Sequence, residues 1–247
     1  MRQTPTPPSP AAEPGLRVAS WNIHKGIGAD RRRDLMRTAD VLVEIAPDII
    51  ALQEADLRFG DRAGLLDLDH LHQESGMVPV PVGTPGPSHG WHGNLILLRK
   101  GIAITQVHRV TLPGLEPRGA LIADLSVAGH GLRIVATHLG LLRTSRLSQV
   151  HALSQRLDQM DPLPTLLMGD LNEWRNGPAS PLAHFSHRFR AAPPVRSFPA
   201  RFPVLTLDRM LVAGGDVHEM RTHDTALSRR ASDHLPIKGR LVLHGRA

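Results

Sequence analysis

The chain has no cysteine and no tyrosine, and only 3% of its 247 residues are aromatic. Without thiols, a disulfide scaffold, a thiolate nucleophile and a Cys-ligated zinc or iron–sulfur centre are all excluded. The same absence leaves the redox compartment open. Trp21, Trp91, Trp174 and five phenylalanines are too few rings for stacking a run of single-stranded bases. No apolar run approaches the roughly 18 residues that a membrane-spanning helix needs. Residues 1–15, MRQTPTPPSPAAEPG, hold five prolines and no apolar core of a signal peptide. They read as a disordered leader ahead of a cytoplasmic domain over residues 16–247.

Hydrophobic residues make up 41% and charged residues 21%, the balance of a globular protein long enough to bury a sizeable core. Lys+Arg outnumber Asp+Glu by 29 to 23, a net charge of +6. A basic chain suits nucleic acid, phospholipid surfaces or phosphorylated small molecules, although an arginine-rich composition also yields basic surfaces with no ligand.

Short apolar runs alternate with a few helical spacings. Strands are expected at Leu16–Ser20, Asp48–Gln53, Leu95–Arg99, Ile102–Leu112, Ala120–Val127, Leu132–Thr137, Thr165–Gly169, Leu205–Ala213 and Ile237–Leu243. Arg33–Ala46 has helical periodicity ended by Pro47, and Thr144 is placed to cap a helix carrying Leu147, Val150, Leu153 and Leu157. Pro79–Ser88 and the six-proline stretch Pro178–Pro203 read as loops. Residues 95–137 leave no room for helical crossovers, so antiparallel pairing and mixed sheets are expected. The pattern predicts one α/β (α+β) domain, a layered sandwich rather than a strict βαβ winding.

The informative feature is what stands where the strands end. VASWN ends in Asn22, IIALQE in Glu54, RIVATH in His138, and TLLMGDLN in Asp170 and Asn172. Asp233 and His234 precede the last strand. Strands deliver their terminal side chains to one sheet edge, where sites are built. Taken singly, each residue has an ordinary reading as a turn or surface group. Taken together, oxygen donors with few carboxylates suit Mg²⁺ or Mn²⁺, which keeps several waters and a substrate phosphate in its shell. Carboxylates and imidazoles with no thiol point to metal-assisted hydrolysis.

Seven segments occur in one order: SWNIHKG (Ser20–Gly26), PDIIALQE (Pro47–Glu54), HGNLILLR (His92–Arg99), VATHLG (Val135–Gly140), MGDLNEW (Met168–Trp174), LDRMLV (Leu207–Val212) and SDHLPI (Ser232–Ile237). With them the chain resembles the endonuclease/exonuclease/phosphatase superfamily across residues 16–243. That superfamily includes abasic-site endonucleases, deoxyribonucleases, sphingomyelinases and inositol-polyphosphate 5-phosphatases. The nearest likeness is to small stand-alone bacterial members, through NIHKG, HGN, THLGL and the run Phe198-Pro199, Phe202-Pro203, Leu207-Asp208-Arg209. The resemblance implies a four-layered sandwich, two mixed sheets packed face to face with helices outside, acting as a monomer.

It also implies roles. Glu54 holds Mg²⁺ or Mn²⁺, helped by Asn22, with Asp233 at the metal or at a second water. Asp170 orients or deprotonates the attacking water, and Asn172 holds that water or a phosphate oxygen. An extended backbone would put Asp170 and Asn172 on one face. His234 donates to the phosphoryl oxygen and Asp208 pairs with it, while His138 contacts the scissile phosphate. Arg118, in PRGAL, is a cation at the phosphate, although the same residue also reads as a solvated loop arginine. Asn94 and His92 join the phosphate-binding set, and the His89–Asn94 loop shapes substrate choice. Relatives that cleave DNA place a tyrosine at the phosphate, and this chain has none. Arg31, Arg32 and Arg33 read as a solvated helix start. A phosphodiesterase acting on DNA, the same chemistry on a phospholipid headgroup or small metabolite, and a binding module without catalysis all remain as readings.

Overall fold

The computed structural model describes residues 15–57, 62–83 and 87–244. The Pro-rich leader lies outside the described residues, apart from Gly15.

Two six-stranded mixed sheets carry the chain. The first orders β11 (Gly215–Thr222), β12 (Ile237–Leu243), β1 (Leu16–Asn22), β2 (Ile49–Gln53), β4 (Leu95–Arg99) and β3 (Met77–Pro79). The second orders β5 (Ala103–Leu112), β6 (Arg118–Val127), β7 (His130–Thr137), β8 (Thr165–Asp170), β10 (Asp208–Ala213) and β9 (Arg190–Ala191). Only β1–β2 and β7–β8 pair in parallel.

The period-two alternation of each strand assigns its side chains to layers. Val18, Ile49, Ala51, Ile96 and Leu98 of the first sheet meet Leu121, Ile134, Leu166, Met168 and Met210 of the second in a central core. The alternate positions Ala19, Trp21, Ile50, Leu52 and Leu97 face outward against α1 (Leu35–Ile45) and α2 (Leu68–Ser75). Ile122, Val135, Leu167 and Leu211 do the same against α3 (Arg143–Asp158). Both faces of each sheet are therefore covered, which is why the central strands read as nearly continuous apolar runs. This is the expected four-layered α/β sandwich. No helix among the described residues is long and apolar enough to cross a membrane.

Helix ends follow local chemistry, with one correction. Asp34 caps α1 by accepting from Arg37 N at 2.9 Å, and left-handed Ala46 closes it before Pro47. Arg31–Arg33 thus lie in the exposed loop before α1, not inside it. Thr144 does not cap α3: the N-cap is Leu142, with no side-chain cap. Side chains from the helix interior hold that entry instead. Gln149 Oε1 accepts from Gly140 N at 2.7 Å, and Arg146 donates to the Gly140 carbonyl at 3.1 Å. Periodicity also missed α2, β3, β11 and the four-residue α4 (Ser228–Ala231), all short or charged segments without a long apolar stripe.

Candidate active site

The parallel strands β1, β2, β7 and β8 all end at one edge of the sandwich, and β4, β6, β10 and β12 start there because they run antiparallel to these neighbours. The topology therefore brings Asn22, Glu54, His138 and Asp170 from strand ends together with Arg118, Asp208 and His234 from strand starts. Gly169 permits the closest approach. A Cβ there would stand 1.8 Å from the Thr137 carbonyl oxygen, so only glycine lets β8 deliver Asp170 beside β7.

Asp170 is the hub. Its Oδ2 receives Asn22 Nδ2 at 3.0 Å and lies 3.3 Å from His138 Nε2 and 3.7 Å from His234 Nε2. Its Oδ1 accepts from the Asn172 backbone N–H at 3.0 Å. Burial pushes this carboxyl up to about 6, against the pull of the His234 charge. Across the β8–β10 register Asp170 is paired with Asp208, whose Oδ2 lies 2.8 Å from His234 Nδ1. Burial works against the His234 cation, yet the carboxylates of Asp208 and Asp170 outweigh it and push the imidazolium up to about 10. Its neighbours therefore favour the imidazolium form, and its ring is oriented by a carboxylate.

The segment bearing His234 is stitched to β1. Trp21 Nε1 donates to the His234 carbonyl at 2.9 Å, and Ser232 Oγ donates to the Asn22 carbonyl at 2.7 Å. The Phe198 ring packs on His234 with centroids 4.8 Å apart, and Ser197 Oγ donates to Asp208 Oδ2. Sequence reasoning did not single out Ser197, Phe198 or Trp21 as supports, although each lies in or beside a motif already noted.

A second group surrounds Glu54. This residue follows β2 with left-handed backbone, φ 55°, and lines a cavity with Lys25, Asp56, Arg62, His92, Arg118 and His138. Lys25 Nζ is ion-paired to Glu54 Oε2. Burial disfavours the Glu54 anion, but the Lys25 hydrogen bond and charge hold its carboxyl below the usual range. Asp56 Oδ2 accepts from Gly93 N at 2.9 Å, and burial raises its carboxyl. His92 Nδ1 lies 2.9 Å from Arg62, and burial together with that guanidinium lowers its imidazole to about 4. Arg118 pairs with Glu116 at 2.7 Å. Lys25, Asp56 and Arg62 are additions to the set read from sequence. Lys25 sat unremarked inside NIHKG.

Three expected residues are placed differently from their sequence reading. Asn94 is fully buried and donates Nδ2 to the Gly119 carbonyl at 3.0 Å and to the Trp91 carbonyl at 3.1 Å. It ties its loop to β6 and is not among the residues lining the cavity. Asn172 has left-handed backbone, φ 50°, so the chain beyond Asp170 is a turn and not extended. Its Nδ2 donates to the Leu139 carbonyl at 2.9 Å. Asp233 lies 3.6 Å from His24 Nδ1, and among the described residues no three His, Asp or Glu side chains gather into a metal-holding group.

The donors present still fit Mg²⁺ or Mn²⁺. Glu54 offers a hard carboxylate already occupied by a cation, the Lys25 ammonium, and the Asn22 amide oxygen accepts the His24 N–H at 3.0 Å. One carboxylate plus an amide oxygen leaves room for the waters that Mg²⁺ retains.

Comparison with known proteins agrees with this fold. The chain is 28% identical over 259 residues to the uncharacterized protein YbhP of Escherichia coli (strain K12), covering 92% of this chain and 96% of that protein. It superposes on the endonuclease/exonuclease/phosphatase structure from Beutenbergia cavernae with a TM-score of 0.68 at 22% identity, covering 93% of this chain and 72% of that one. It also superposes on the Bacteroides thetaiotaomicron mannosyl-6-phosphatase with a TM-score of 0.71 at 18% identity, covering 92% and 100%. Residues 19–234 match the Endonuclease/Exonuclease/phosphatase family, whose members hydrolyse phosphoesters, and the chain belongs to that family.

Proposed function

We propose that the chain is a divalent-metal-dependent phosphodiesterase that activates water for attack on phosphorus, with a nucleic-acid phosphodiester as substrate. The observation that carries this reading is the placement of Asp170: a buried carboxylate whose Oδ2 lies 3.0 Å from Asn22 Nδ2, 3.3 Å from His138 Nε2 and 3.7 Å from His234 Nε2 where the strand ends converge, the position of a general base, with burial raising its proton affinity. Asp170 takes a proton from water while the water oxygen bonds to phosphorus and the ester oxygen leaves. Asn172 and Asn22 keep the Asp170 carboxylate oriented through the hydrogen bonds described above. His234, held as a cation by Asp208, donates to the phosphoryl oxygen as charge builds there. Arg118, His138 and His92 flank the phosphate. Glu54 and Asn22, with Asp233 nearby, would hold Mg²⁺ or Mn²⁺, which supplies charge neutralisation for the phosphate and leaving oxygen.

One observation favours a second substrate class. Leu115, Leu141 and Trp174 are exposed by 85%, 64% and 48% on the loops that carry Arg118, His138 and Asn172. Exposed apolar side chains next to these residues in sequence suit a phosphoester with an apolar portion, such as a phospholipid.

Turnover of bis-(p-nitrophenyl) phosphate, supercoiled plasmid and phospholipid vesicles, each with Mg²⁺, Mn²⁺ or EDTA, tests both readings. Metal-dependent nicking that is absent in Asp170→Ala supports the nuclease reading. Vesicle turnover without nicking moves the substrate to lipid. No turnover of any of the three overturns the phosphodiesterase reading.

A further inference from the structure

The turn after β1 has conformationally strained backbone. His24, Lys25 and Gly26 are consecutive and all left-handed, with φ of 47°, 56° and 71°. Glycine adopts this conformation freely, whereas histidine and lysine hold it only where surrounding structure over-determines it. The turn is fixed by its neighbours: Gly26 N donates to the Ile23 carbonyl at 2.8 Å, and Asp34 N donates to the Gly26 carbonyl at 2.8 Å. Its product is the placement of one side chain. Lys25 reaches Glu54, itself left-handed, and closes an ion pair on Oε2. The lysine and glutamate side chains keep 25% and 20% exposure, so the pair remains open to exchange with solvent ions. Lys25 and Arg62 line the cavity beside the carboxylates of Glu54 and Asp56, with Arg118 paired to Glu116.

An ammonium bonded to a carboxylate oxygen repels a divalent cation drawn to the same anion and competes with it for that charge. We propose that Lys25 is the resident counter-ion of Glu54 and competes with the divalent cation for that oxygen, which makes Lys25 a positioning residue that sets metal affinity. This role rests on the metal-dependent reading above. Lys25 keeps the Glu54 anion paired while the metal is absent, and metal entry works against the charge of the ammonium. The chain therefore binds metal more weakly than the same carboxylate would without Lys25.

The test is a calorimetric Mn²⁺ titration of the full-length protein and four variants. Lys25→Met removes the ammonium and keeps most of the stem. Lys25→Gly removes both and also relieves the backbone strain, so it folds readily. Both are expected to bind Mn²⁺ about tenfold more tightly than wild type, the scale of a charge-assisted contact. Lys25→Arg, which retains a cation, stays within about twofold of wild type. Glu54→Gln loses Mn²⁺ binding. A melting series adds a readout independent of turnover: in EDTA Lys25→Met melts below wild type, and Mn²⁺ raises its Tm by more than it raises that of wild type. Unchanged or weaker Mn²⁺ affinity in both Lys25→Met and Lys25→Gly, with binding still lost in Glu54→Gln, overturns the counter-ion role alone. Wild type that binds no Mn²⁺, or Glu54→Gln that binds as well as wild type, overturns the metal reading and the counter-ion role together.

Discussion

Two clusters of buried charge stand on the same sheet and are built in opposite ways. Towards the far end of β6 and β7, Asp124 and Arg133 are cross-strand partners, 5% and 1% exposed. Their contact is bidentate, at 2.7 and 2.8 Å, and a further Arg133 nitrogen donates to the Asp161 carbonyl at 2.9 Å. One anion meets one cation and the geometry is saturated. At the other end, Asp170 shares its surroundings with a second carboxylate, two imidazoles and an amide, and the His234 ring it faces is shared with Asp208. Burial raises its proton affinity, the His234 charge opposes that and the Asp208 charge adds to it. A matched buried pair holds a sheet together, whereas an unmatched cluster keeps a proton available for transfer.

That contrast can be broken from either side. Asp170→Asn should lower turnover of bis-(p-nitrophenyl) phosphate about 10³-fold or more, while its urea midpoint stays equal to or above that of wild type because a buried charge is gone. Arg133→Met should do the reverse. It should destabilise the fold by about 3–5 kcal/mol in urea melts by stranding Asp124, with turnover per folded molecule unchanged. Adding Asp124→Leu to it should recover most of that loss, since an apolar pair strands no charge. Asp208→Asn should lower turnover about 10²-fold, as His234 loses the carboxylate that fixes its ring and charge. If the Arg133 variants lost activity as steeply as Asp170→Asn, the separation of the two clusters would collapse.

The smallest effect concerns a surface group. Burial disfavours the Asp48 anion, but the hydrogen bonds and charge of Arg17, with the charge of Arg99, hold its carboxyl below the usual range. A depressed carboxyl stabilises above its unfolded value of about 3.9, and that stabilisation disappears as pH falls through the folded value. Asp48→Asn should therefore cost less than about 1 kcal/mol at pH 7 after solvent screening. The gap to wild type should close below about pH 4 in urea midpoints measured from pH 7 to 3.

Much of the fold was legible along the chain. β4 and β12 match their expected bounds residue for residue, and α1 differs by two residues at its start and one at its end. Strand alternation, helix spacing and the Asp34 and Pro47 punctuation act within a few residues, so they can be read locally. The convergence of Asn22, Glu54, His138, Asp170 and His234 was likewise visible, because each stands at the end of an apolar run or just before one. Asn94 reads as a site residue because its sequence neighbours are, while its hydrogen-bond partners include the carbonyl of Gly119 on another strand. Thr144 was misjudged because the helix entry is held by Arg146 and Gln149 from within the helix.

The sequence by itself determined the layered architecture, the strands and the residue types delivered to one edge, since these follow from periodicity and local punctuation. Only the tertiary structure decided which groups do what there. Asn22 meets Asp170 across 148 residues of chain, and His234 meets Asp208 across 26. Proton affinity depends on burial and on the charges within a few ångströms, and neither is a property of the residue's neighbours in sequence. For the same reason Asp170 became the raised carboxyl and Glu54 the one held low by Lys25, though both begin as acidic residues closing a buried strand.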